Sequence, residues 1–371
     1  MGAAFMRPQE VWVKNLAITR KNLILPTAMF LSISVGTFFV SFLKKKLNLS
    51  SSIAKSLAIL GILIVLLTGG VYYSNKFLPV SPKKFFFPDH PIFSWLEENG
   101  GIDRFYGQGV AHIDYSFPIH YGVYGAEGYD TVRYQRYAEL LASSYNGQVP
   151  QTYPRSEAVF PSEENGYRRR LFDLLGIKYL LNKVDDPKNN ADWHYEVFDK
   201  DQTEGIWQNG KFQIYQRKTV IPRIFLTTNY VVAANDTEII DKIYDQNFNL
   251  KTLVLEKEPN IKIENDNQEI TIPDLLNYQP QEISIKTAKD NNSLLFISDV
   301  YDKDWAVKVD DKDAELLRAD YALRSVAVPQ GQHEVTFKYR QKSFEKGVLI
   351  TGASIITLLL VCLFWIKTKK F

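Results

Sequence analysis

Cysteine is nearly missing from this sequence, and that lack excludes several kinds of site. Among 371 residues there is one cysteine, Cys362, and it lies inside the last long apolar run. Outside that run the sequence can form no disulfide, no cysteine-based metal site and no thiol nucleophile. The formal net charge is also small, at +2, without the basic excess that nucleic-acid binding requires. We therefore expect no nucleic-acid partner.

The short motifs of several enzyme classes are missing as well. The sequence contains no GxSxG, no GxxxxGK(S/T) and no GxGxxG, which are the signatures of serine hydrolases, P-loop proteins and dinucleotide-binding proteins. No two histidines have the HxxxH or HExxH spacing that places two metal ligands on one helical face. We predict neither a cofactor nor a bound metal.

Charged residues are missing from three long runs, which are Asn22–Leu43, Ser56–Asn75 and Gly347–Ile366. Each has about the 20 residues that a helix needs to cross the hydrocarbon core of a bilayer. A soluble core helix of this length would carry charges on one face. The sequence therefore predicts three transmembrane helices, with the lipid bilayer as a partner.

Positive charges beside these runs predict the orientation in the membrane. The short loop 44–55 and the tail 367–371 together carry seven lysines, against four lysines and arginines in segment 1–21. The positive-inside rule then places the loop and the tail in the cytoplasm. We expect a multi-pass protein of the plasma membrane whose large domain lies outside the cytoplasm. The first helix would enter from outside, so we also expect the chain to be the C-terminal part of a longer polytopic protein.

A period of two runs through the last strand before the third apolar run. In His333–Tyr339 the side chains of Val335, Phe337 and Tyr339 fall on one face. Proline, glycine and aspartate interrupt such patterns every eight to twelve residues, which is typical of an antiparallel β-sandwich. The predicted strands are Leu294–Val300, Ala306–Val309, Ala314–Leu317, Arg324–Val328 and His333–Tyr339.

The predicted fold class is a membrane α-helical protein with three transmembrane helices and a large extracytoplasmic α+β domain that ends in this sandwich. Helices are predicted at Ile92–Asn99, Thr131–Ser144 and Glu163–Leu175, and from the capping sequence at Asn235 to about Asp245. The predicted segments are a loop or interfacial segment 1–21, a helix 22–43, a basic cytoplasmic loop 44–55, a helix 56–75, an α+β domain 76–250, a β-sandwich 251–346, a helix 347–366 and a cytoplasmic tail 367–371.

One stretch, Gly107–Asp130, is rich in glycine, histidine and tyrosine without a period, which predicts a long ordered loop of the kind that lines sites. It brings together side chains of the types that bind zinc or manganese or perform acid–base chemistry, namely His112, Asp114, His120, Glu127 and Asp130, and His112, Asp114 and His120 are the candidates for a metal-dependent site. A metal-dependent hydrolase is one hypothesis. The alternative is that they are polar loop residues bonded to the backbone.

Two further positions are candidates for ligand binding. Asp130, Arg133 and Arg136 lie near the start of a predicted helix, where arginines and the helix N-terminus could receive an anionic group. A solvated or salt-bridged helix face is the alternative, and we also predict a solvated face for Arg168–Arg170. Trp305 follows an aspartate-rich corner and could stack on a sugar ring, or it could belong to the core of the sandwich.

Several short patterns resemble the C-terminal end of the YfhO-type bacterial membrane proteins, which are polytopic members of the GT-C glycosyltransferase superfamily. The matching residues are Tyr301 and Trp305, the Val309-Asp310-Asp311 turn, Arg318, Tyr321 and Arg324, the Val326–Pro329 segment with Gly331 and His333, and Phe337, Tyr339, Ser343 and Phe344. Earlier matches are Gly128-Tyr129-Asp130, Arg136-Tyr137, Leu140-Leu141, Leu174–Leu181 and Ile221-Pro222-Arg223. The resemblance extends from about residue 85 to residue 366.

The resemblance implies a polyprenyl-phosphate-linked sugar as donor and a cell-envelope glycan or lipid polymer as acceptor. The mechanism it implies is direct displacement at an anomeric carbon, with an acidic base activating the acceptor hydroxyl. In GT-C enzymes the essential acidic residue lies in the first outer loop of a helical bundle, and here two predicted helices precede the domain. We therefore assign no catalytic residue, and we expect the bundle in the same or in a separate chain.

Whether the chain acts in an enzyme stays open at this point. In one hypothesis its domain positions the acceptor or a lipid phosphate for the glycosyltransferase. In the alternative, a non-catalytic membrane-anchored module binds envelope polysaccharide or a protein.

Overall fold

The structure is a computed structural model, and it describes residues 8–77, 87–107, 109–115, 117–130, 134–151, 156–161, 166–184, 201–266 and 269–368. The chain divides into two compact units, Met1–Pro88 and Asp89–Phe371.

The first unit consists of two long helices, α1 (Pro8–Lys46) and α2 (Ser51–Phe77). The predicted membrane segments 22–43 and 56–75 lie inside them, and helix already begins within the predicted segment 1–21. At about 1.5 Å per residue, either helix is long enough for the hydrocarbon core. Lys44–Lys46 occupy the last turn of α1, where cations stabilise the helix dipole. Gly69 of α2 lies so close to Met29 of α1 that a Cβ atom would collide with it.

The second unit contains six helices and eighteen strands in its described part. The helices are α3 (Pro91–Asn99), α4 (Phe117–His120), α5 (Gln135–Ser143), α6 (Gly166–Leu174), α7 (Asp236–Tyr244) and α8 (Lys342–Thr368). The strands are β1 (Arg104–Gly107), β2 (Tyr124–Gly125), β3 (Gly128–Tyr129), β4 (Glu157–Ala158), β5 (Ile177–Lys183), β6 (Thr203–Asn209), β7 (Phe212–Arg217), β8 (Ile224–Thr227), β9 (Tyr230–Val232), β10 (Leu253–Leu255), β11 (Asp274–Gln279), β12 (Glu282–Lys289), β13 (Ser293–Val300), β14 (Trp305–Val309), β15 (Lys312–Ala314), β16 (Leu316–Ala319), β17 (Leu323–Val328) and β18 (Gly331–Tyr339).

The first sheet is mixed and has the order β2-β1-β5-β7-β6. Strand β1 is parallel to β2 and to β5, and β5 is antiparallel to β7. The central strand β5 is buried at five of its seven positions, as expected for a strand that is covered on both faces. Helix α3 contributes Ile92 and Leu96 to the core on one side, together with Leu181 of β5.

The second sheet has the order β8-β13-β17-β16-β10-β9 and combines strands from both sides of residue 250. Its central strand β13 is buried on both faces. Leu294 and Phe296 point into one apolar core, whereas Leu295 and Ile297 point into another. The same alternation on β17 makes this sheet the layer between two cores.

The third sheet has the order β11-β12-β18-β14-β15. The predicted period of two in its strand β18 is confirmed, because Val335 and Phe337 are buried whereas Glu334 and Lys338 are exposed. Those two apolar side chains share a core with Leu295 and Ile297 of the second sheet. The second unit is thus a β-rich domain with several sheets.

Some local predictions are confirmed and others are wrong. Asn235 caps α7 as predicted, since its side chain accepts a hydrogen bond from the Glu238 backbone N–H at 3.0 Å. The predicted strand Ala314–Leu317 is wrong, because the chain passes there from β15 in the third sheet to β16 in the second. The predicted loop Gly107–Asp130 contains α4, β2 and β3.

Three helices of the described part are long and apolar enough to cross a membrane, namely α1, α2 and α8. The predicted third span, 347–366, lies inside α8, which begins at Lys342, shortly after β18 ends at Tyr339. Large apolar side chains such as Leu349 on α8 are exposed, as expected for a surface that faces lipid.

Candidate functional site

A cavity of about 380 Å³ lies beside the edge strand β2 of the first sheet. We call it the tyrosine cavity, after the five tyrosines among its lining residues. It is lined by Arg104, Tyr115, Pro118, Ile119, Val123, Tyr124, Gly125, Ala126, Glu127, Gly128, Tyr129, Asp130, Tyr134, Tyr137, Ala158 and Val300.

A second cavity of about 350 Å³ adjoins the first, and we call it the arginine cavity. Its lining residues are Arg104, Tyr124, Gly125, Tyr134, Arg223, Tyr278, Gln279, Pro280, Ile283, Asp299, Val300, Trp305 and Arg324. Five of these residues also line the tyrosine cavity, namely Arg104, Tyr124, Gly125, Tyr134 and Val300. We refer to the two cavities together as the cleft.

Asp299 is the centre of the arginine cavity. Its carboxylate lies 3.2 Å from Nη2 of Arg104, 2.5 Å from Nη2 of Arg223 and 2.8 Å from Nη2 of Arg324. The hydroxyl of Tyr278 donates to the same carboxylate at 2.8 Å. The three arginine side chains are at most 7% exposed, whereas that of Asp299 is 16% exposed.

Strand irregularity and tight packing position these groups. Asp299 lies near the end of β13, where the pairing with β17 shifts register between Ile297 and Val300. Arg324 projects from β17 beside it. Gly176 follows α6 with a φ of +67°, and a Cβ atom there would collide with the side chain of Arg223. Glycine is thus required at that position both by the backbone and by the arginine.

The charges of this cluster shift the pKa values of its members. Burial by itself would raise the pKa of Asp299, but Arg223, Arg324 and Arg104 outweigh that effect and hold the pKa well below its usual range. Burial raises the pKa of Tyr278, and the neighbouring Asp299 raises it further. Asp299 is therefore an anion and Tyr278 a neutral donor at physiological pH.

Glu127 is one of two acidic groups that line the tyrosine cavity, the other being Asp130. Burial raises the pKa of Glu127 to about 7, although a hydrogen bond from the Phe160 backbone and the charge of Arg168 act in the other direction. The Phe160 N–H donates to Oε1 at 2.9 Å, and Nδ1 of His112 lies 3.8 Å from Oε2. Burial lowers the pKa of His112, while Asp114 partly opposes that change. Glu127 can thus change its charge near neutral pH at the wall of the cleft.

The predicted histidine and aspartate group is not assembled into a metal site. His112 reaches the cleft only through Glu127, while Asp114 and His120 are exposed and line neither cavity. In the part of the chain that the structure describes, no group of three or more histidine, cysteine, aspartate or glutamate side chains could hold a metal ion.

The predicted anion-binding group is divided by the fold. Asp130 lines the tyrosine cavity, whereas Arg133 lies outside the described residues. Arg136 donates to Asp236 at 3.0 Å, to Glu256 at 2.7 Å and to the Tyr321 carbonyl at 2.8 Å. This geometry matches the salt-bridged alternative for Arg136, and a role for it in ligand binding stays a prediction.

Trp305 is half-buried at the arginine cavity. The guanidinium carbon of Arg324 lies 4.1 Å from the centre of the indole ring, a cation–π contact, and the Tyr339 ring lies 5.4 Å away. Stacking of Trp305 on a sugar stays a prediction.

The solvated face predicted for Arg168–Arg170 is wrong at Arg168, which is 1% exposed and lies 4.9 Å from the centre of the Tyr106 ring.

The sequence reasoning missed the groups that define the arginine cavity as a site: Arg104, Arg223, Arg324, Asp299 and Tyr278. A signal was present in their strands. Charged residues interrupt apolar runs at Asp299 in the segment LLFISDV and at Arg324 in the segment LRSVAV. A charge inside a strand that is buried on both faces requires a partner, and pairs of opposite sign could have been sought on that basis.

The three apolar helices and the β-rich domain define a membrane protein. Residues 235–351 match the sequence model of a family described as the bacterial membrane protein YfhO. The match begins at the Asn235 cap of α7 and ends at Thr351 within α8. It is consistent with a YfhO-type protein and confirms the resemblance seen in the sequence over these residues. No curated protein and no solved structure matches the chain.

Proposed function

We propose that this chain is the C-terminal region of an integral-membrane GT-C-type glycosyltransferase. The enzyme takes a sugar from a polyprenyl phosphate and modifies a cell-envelope glycan or lipid polymer. In this proposal the part of the second unit that precedes α8 lies outside the cytoplasm at the plasma membrane, and its cleft positions the acceptor or the lipid phosphate. The role of this sequence is binding, and we assign no catalytic residue to it.

The observation that carries the proposal is the aromatic lining of the cleft. It is lined by Trp305 and by six tyrosines, namely Tyr115, Tyr124, Tyr129, Tyr134, Tyr137 and Tyr278. A sugar combines apolar C–H faces with many hydroxyl groups, and an aromatic ring with a polar tip matches both. Both cavities fall within the range of roughly 300–1,000 Å³ typical of small-ligand sites.

The position of the cleft relative to α8 also supports a lipid-linked ligand. Trp305 pairs with Tyr339, the last residue of β18, and α8 begins at Lys342. The backbone N–H of Arg340, in the short connection, donates to the Asp304 carbonyl at 2.8 Å. The edge of the cleft at Trp305 is therefore a few residues away from a helix that is apolar enough to cross a bilayer.

The proposal is tested with the full chain in lipid nanodiscs, titrated with oligosaccharides prepared from the bacterial cell envelope. Tyr134 is 46% exposed and lines both cavities. We expect Tyr134→Ala to weaken binding about fivefold, because one aromatic contact contributes about 1 kcal/mol. Tyr145→Ala is the matched control, since Tyr145 is 51% exposed and lines neither cavity.

The proposal would be overturned if the chain bound no glycan, or if Tyr134→Ala and Tyr145→Ala weakened glycan binding equally. A second readout is transfer of labelled sugar from a polyprenyl phosphate in membranes that contain the complete system. We expect transfer to fall with Tyr134→Ala and to stay unchanged with Tyr145→Ala.

The non-catalytic binding module is the second candidate function. It is favoured by the state of Asp299, whose carboxylate accepts from Arg104, Arg223, Arg324 and Tyr278. A carboxylate with four donors and a lowered pKa is a weak base, suited to structure or recognition. Glycan binding without any dependence of sugar transfer on Tyr134 would select this candidate.

A further inference from the structure

The arginine cavity contains more positive than negative charge. Arg104, Arg223 and Arg324 line it together with a single carboxylate, that of Asp299. Tyr278 remains neutral, because burial and the neighbouring carboxylate both favour its protonated form. The four charged groups therefore sum to two positive charges in surroundings with little access to water. Charge without a counter-charge is unfavourable there, so the cavity favours an anion.

Two of the arginines that line this cavity each have a buried N–H group that is left for a further acceptor. Among the residues that the structure describes, Nε of Arg223 and Nε of Arg324 are buried and have no hydrogen-bond partner. Both side chains are 2% exposed. Arg223 uses its other nitrogens on the Ile102 carbonyl, Tyr278 and Asp299. Buried N–H groups nearly always have a partner in proteins, and an oxygen of a ligand would supply one.

We propose that the arginine cavity is a subsite for a phosphate ester, held by Arg223 and Arg324 beside the ring of Trp305. A phosphate ester carries one to two negative charges and several acceptor oxygens, and guanidinium groups match its geometry. The inference deepens the proposed function and rests on it for the source of the phosphate. That source is either a lipid-linked phosphate in the bilayer or a phosphate group within an envelope polymer.

The test uses the full chain in phosphatidylcholine nanodiscs. Glycerol 3-phosphate is added from solution, and in a second arm polyprenyl phosphate is built into the bilayer. Chloride at equal ionic strength is the reference for both. Binding is measured by calorimetry for the soluble probe and by the shift of the unfolding temperature for both probes. We expect a saturable effect of at least one phosphate probe that chloride does not reproduce.

Arg324→Lys is the critical variant, because it keeps the charge but removes Nε and the planar fork. We expect it to weaken phosphate binding about tenfold. Arg318→Lys is the matched control. Arg318 also lies over an aromatic ring, with its guanidinium carbon 4.4 Å from the centre of Tyr301, and contacts a carboxylate, Glu256, at 3.1 Å. It lines neither cavity of the cleft.

Asp299→Asn changes the same cavity in the opposite direction. Removal of the carboxylate raises the excess positive charge, so we expect phosphate to bind several-fold more tightly and to restore part of the lost thermal stability. A purely structural role for the arginines predicts the loss of stability without recovery in phosphate. This second variant keeps the inference testable if Arg324→Lys does not fold.

The outcomes separate the source of the phosphate from the validity of the inference. An effect of glycerol 3-phosphate alone identifies a polymer phosphate, and an effect of polyprenyl phosphate alone identifies a lipid. No effect of either probe, or equal losses in Arg324→Lys and Arg318→Lys, would overturn the inference. Phosphate binding without glycan binding would leave the subsite standing and remove the proposed function. Glycan binding without phosphate binding would remove the phosphate subsite and leave the proposed function standing.

Discussion

Two arginine clusters in the second unit are built from the same kinds of residue and differ in charge balance. In the arginine cavity three arginines surround the single carboxylate of Asp299. In the other, which we call the Arg136 cluster, Arg136 and Arg318 face two carboxylates, those of Asp236 and Glu256. An arginine stacks on an aromatic ring in both, Arg324 on Trp305 and Arg136 on Tyr321.

The difference assigns different roles to the two clusters. The Arg136 cluster is neutral in sum and open to water, with Arg136 27% and Asp236 56% exposed. Such ion pairs contribute little energy each, and this one connects α5 with the start of α7 and with the residue after β10. The cluster in the arginine cavity is shielded and carries excess charge. A cluster of that kind strongly stabilises the fold through its one anion and retains the capacity to bind a second.

The largest expected effect comes from removing that one anion. Asp299→Asn leaves three shielded arginines without a counter-charge, so we expect the free energy of unfolding at pH 7 to fall by about 3 kcal/mol. Asp236→Asn, the matched change in the Arg136 cluster, should cost less than about 1 kcal/mol. Urea unfolding of the full chain in detergent micelles measures both values.

The pH dependence sharpens this test. The pKa of Asp299 is lowered by folding, so its contribution to stability is present above the ordinary pKa of an aspartate and is lost as the pH falls through the lower value in the folded state. Asp299→Asn should therefore lower stability equally at pH 6 and pH 8. Equal losses for Asp299→Asn and Asp236→Asn would contradict the comparison between the two clusters.

Asp320 shows what a shielded carboxyl does without arginines. It is 2% exposed, Oδ1 accepts from the Val254 N–H at 2.9 Å, and Oδ2 is buried without a partner among the described residues. Burial raises the pKa of Asp320 to about 7, although the hydrogen bond from the Val254 backbone acts in the other direction. A folded-state pKa above the unfolded value means that stability is highest below the unfolded pKa and is lost as the pH rises through about 7.

We therefore expect Asp320→Asn to stabilise the protein at pH 8 by about 2 kcal/mol and to have little effect at pH 5. Ionising the Asp320 carboxyl, whose pKa is raised by about three units, costs roughly 4 kcal/mol. The variant avoids that cost, but burial of the asparagine amide offsets part of the gain. Asparagine also tolerates the φ of +46° at this position. The measurement is urea unfolding at both pH values. A change in stability that is the same at pH 8 and at pH 5 would contradict the raised pKa of Asp320.

The predictions that succeeded depend on local chemistry. The cap at Asn235 needs only its side chain and the Glu238 N–H three residues on. The turn at Asp310 and Asp311 likewise forms from adjacent residues that accept positive φ, here +48° and +65°. The membrane helices follow from the absence of charge over about 20 residues.

The predictions that failed depend on long-range packing. The segment Ala314–Leu317 has the composition of a single strand. Nothing in the local sequence shows that the chain changes sheets at Glu315. Arg168 carries the polarity of a surface residue, yet aromatic rings around it cover the guanidinium.

The arginine cavity is the clearest case of a site that sequence order conceals. Arg104 and Asp299 are 195 residues apart, and Arg223 is 76 residues from Asp299. Only the pairing of β13 with β8 and β17, and the contact of the first sheet with them, brings these groups together. The sequence contained the charged residues inside apolar strands, but not their pairing.

The smallest expected effect concerns the other end of the cleft, at Glu127. Because its pKa is raised to about 7, Glu127 passes from a neutral acid to a carboxylate between pH 6 and pH 8. The carboxylate accepts stronger hydrogen bonds from sugar hydroxyls, so we expect glycan affinity to rise about threefold over that range. Glu127→Gln should remove this pH dependence.

Calorimetry of glycan binding at pH 6 and pH 8 tests that expectation, with Glu139→Gln as the control because Glu139 lies outside the cleft, beside Tyr321. The affinity of wild type should rise with pH, that of Glu127→Gln should stay constant, and that of Glu139→Gln should follow wild type. A rise that persists in Glu127→Gln would assign the pH dependence to another group and remove the role of the Glu127 carboxylate in glycan recognition.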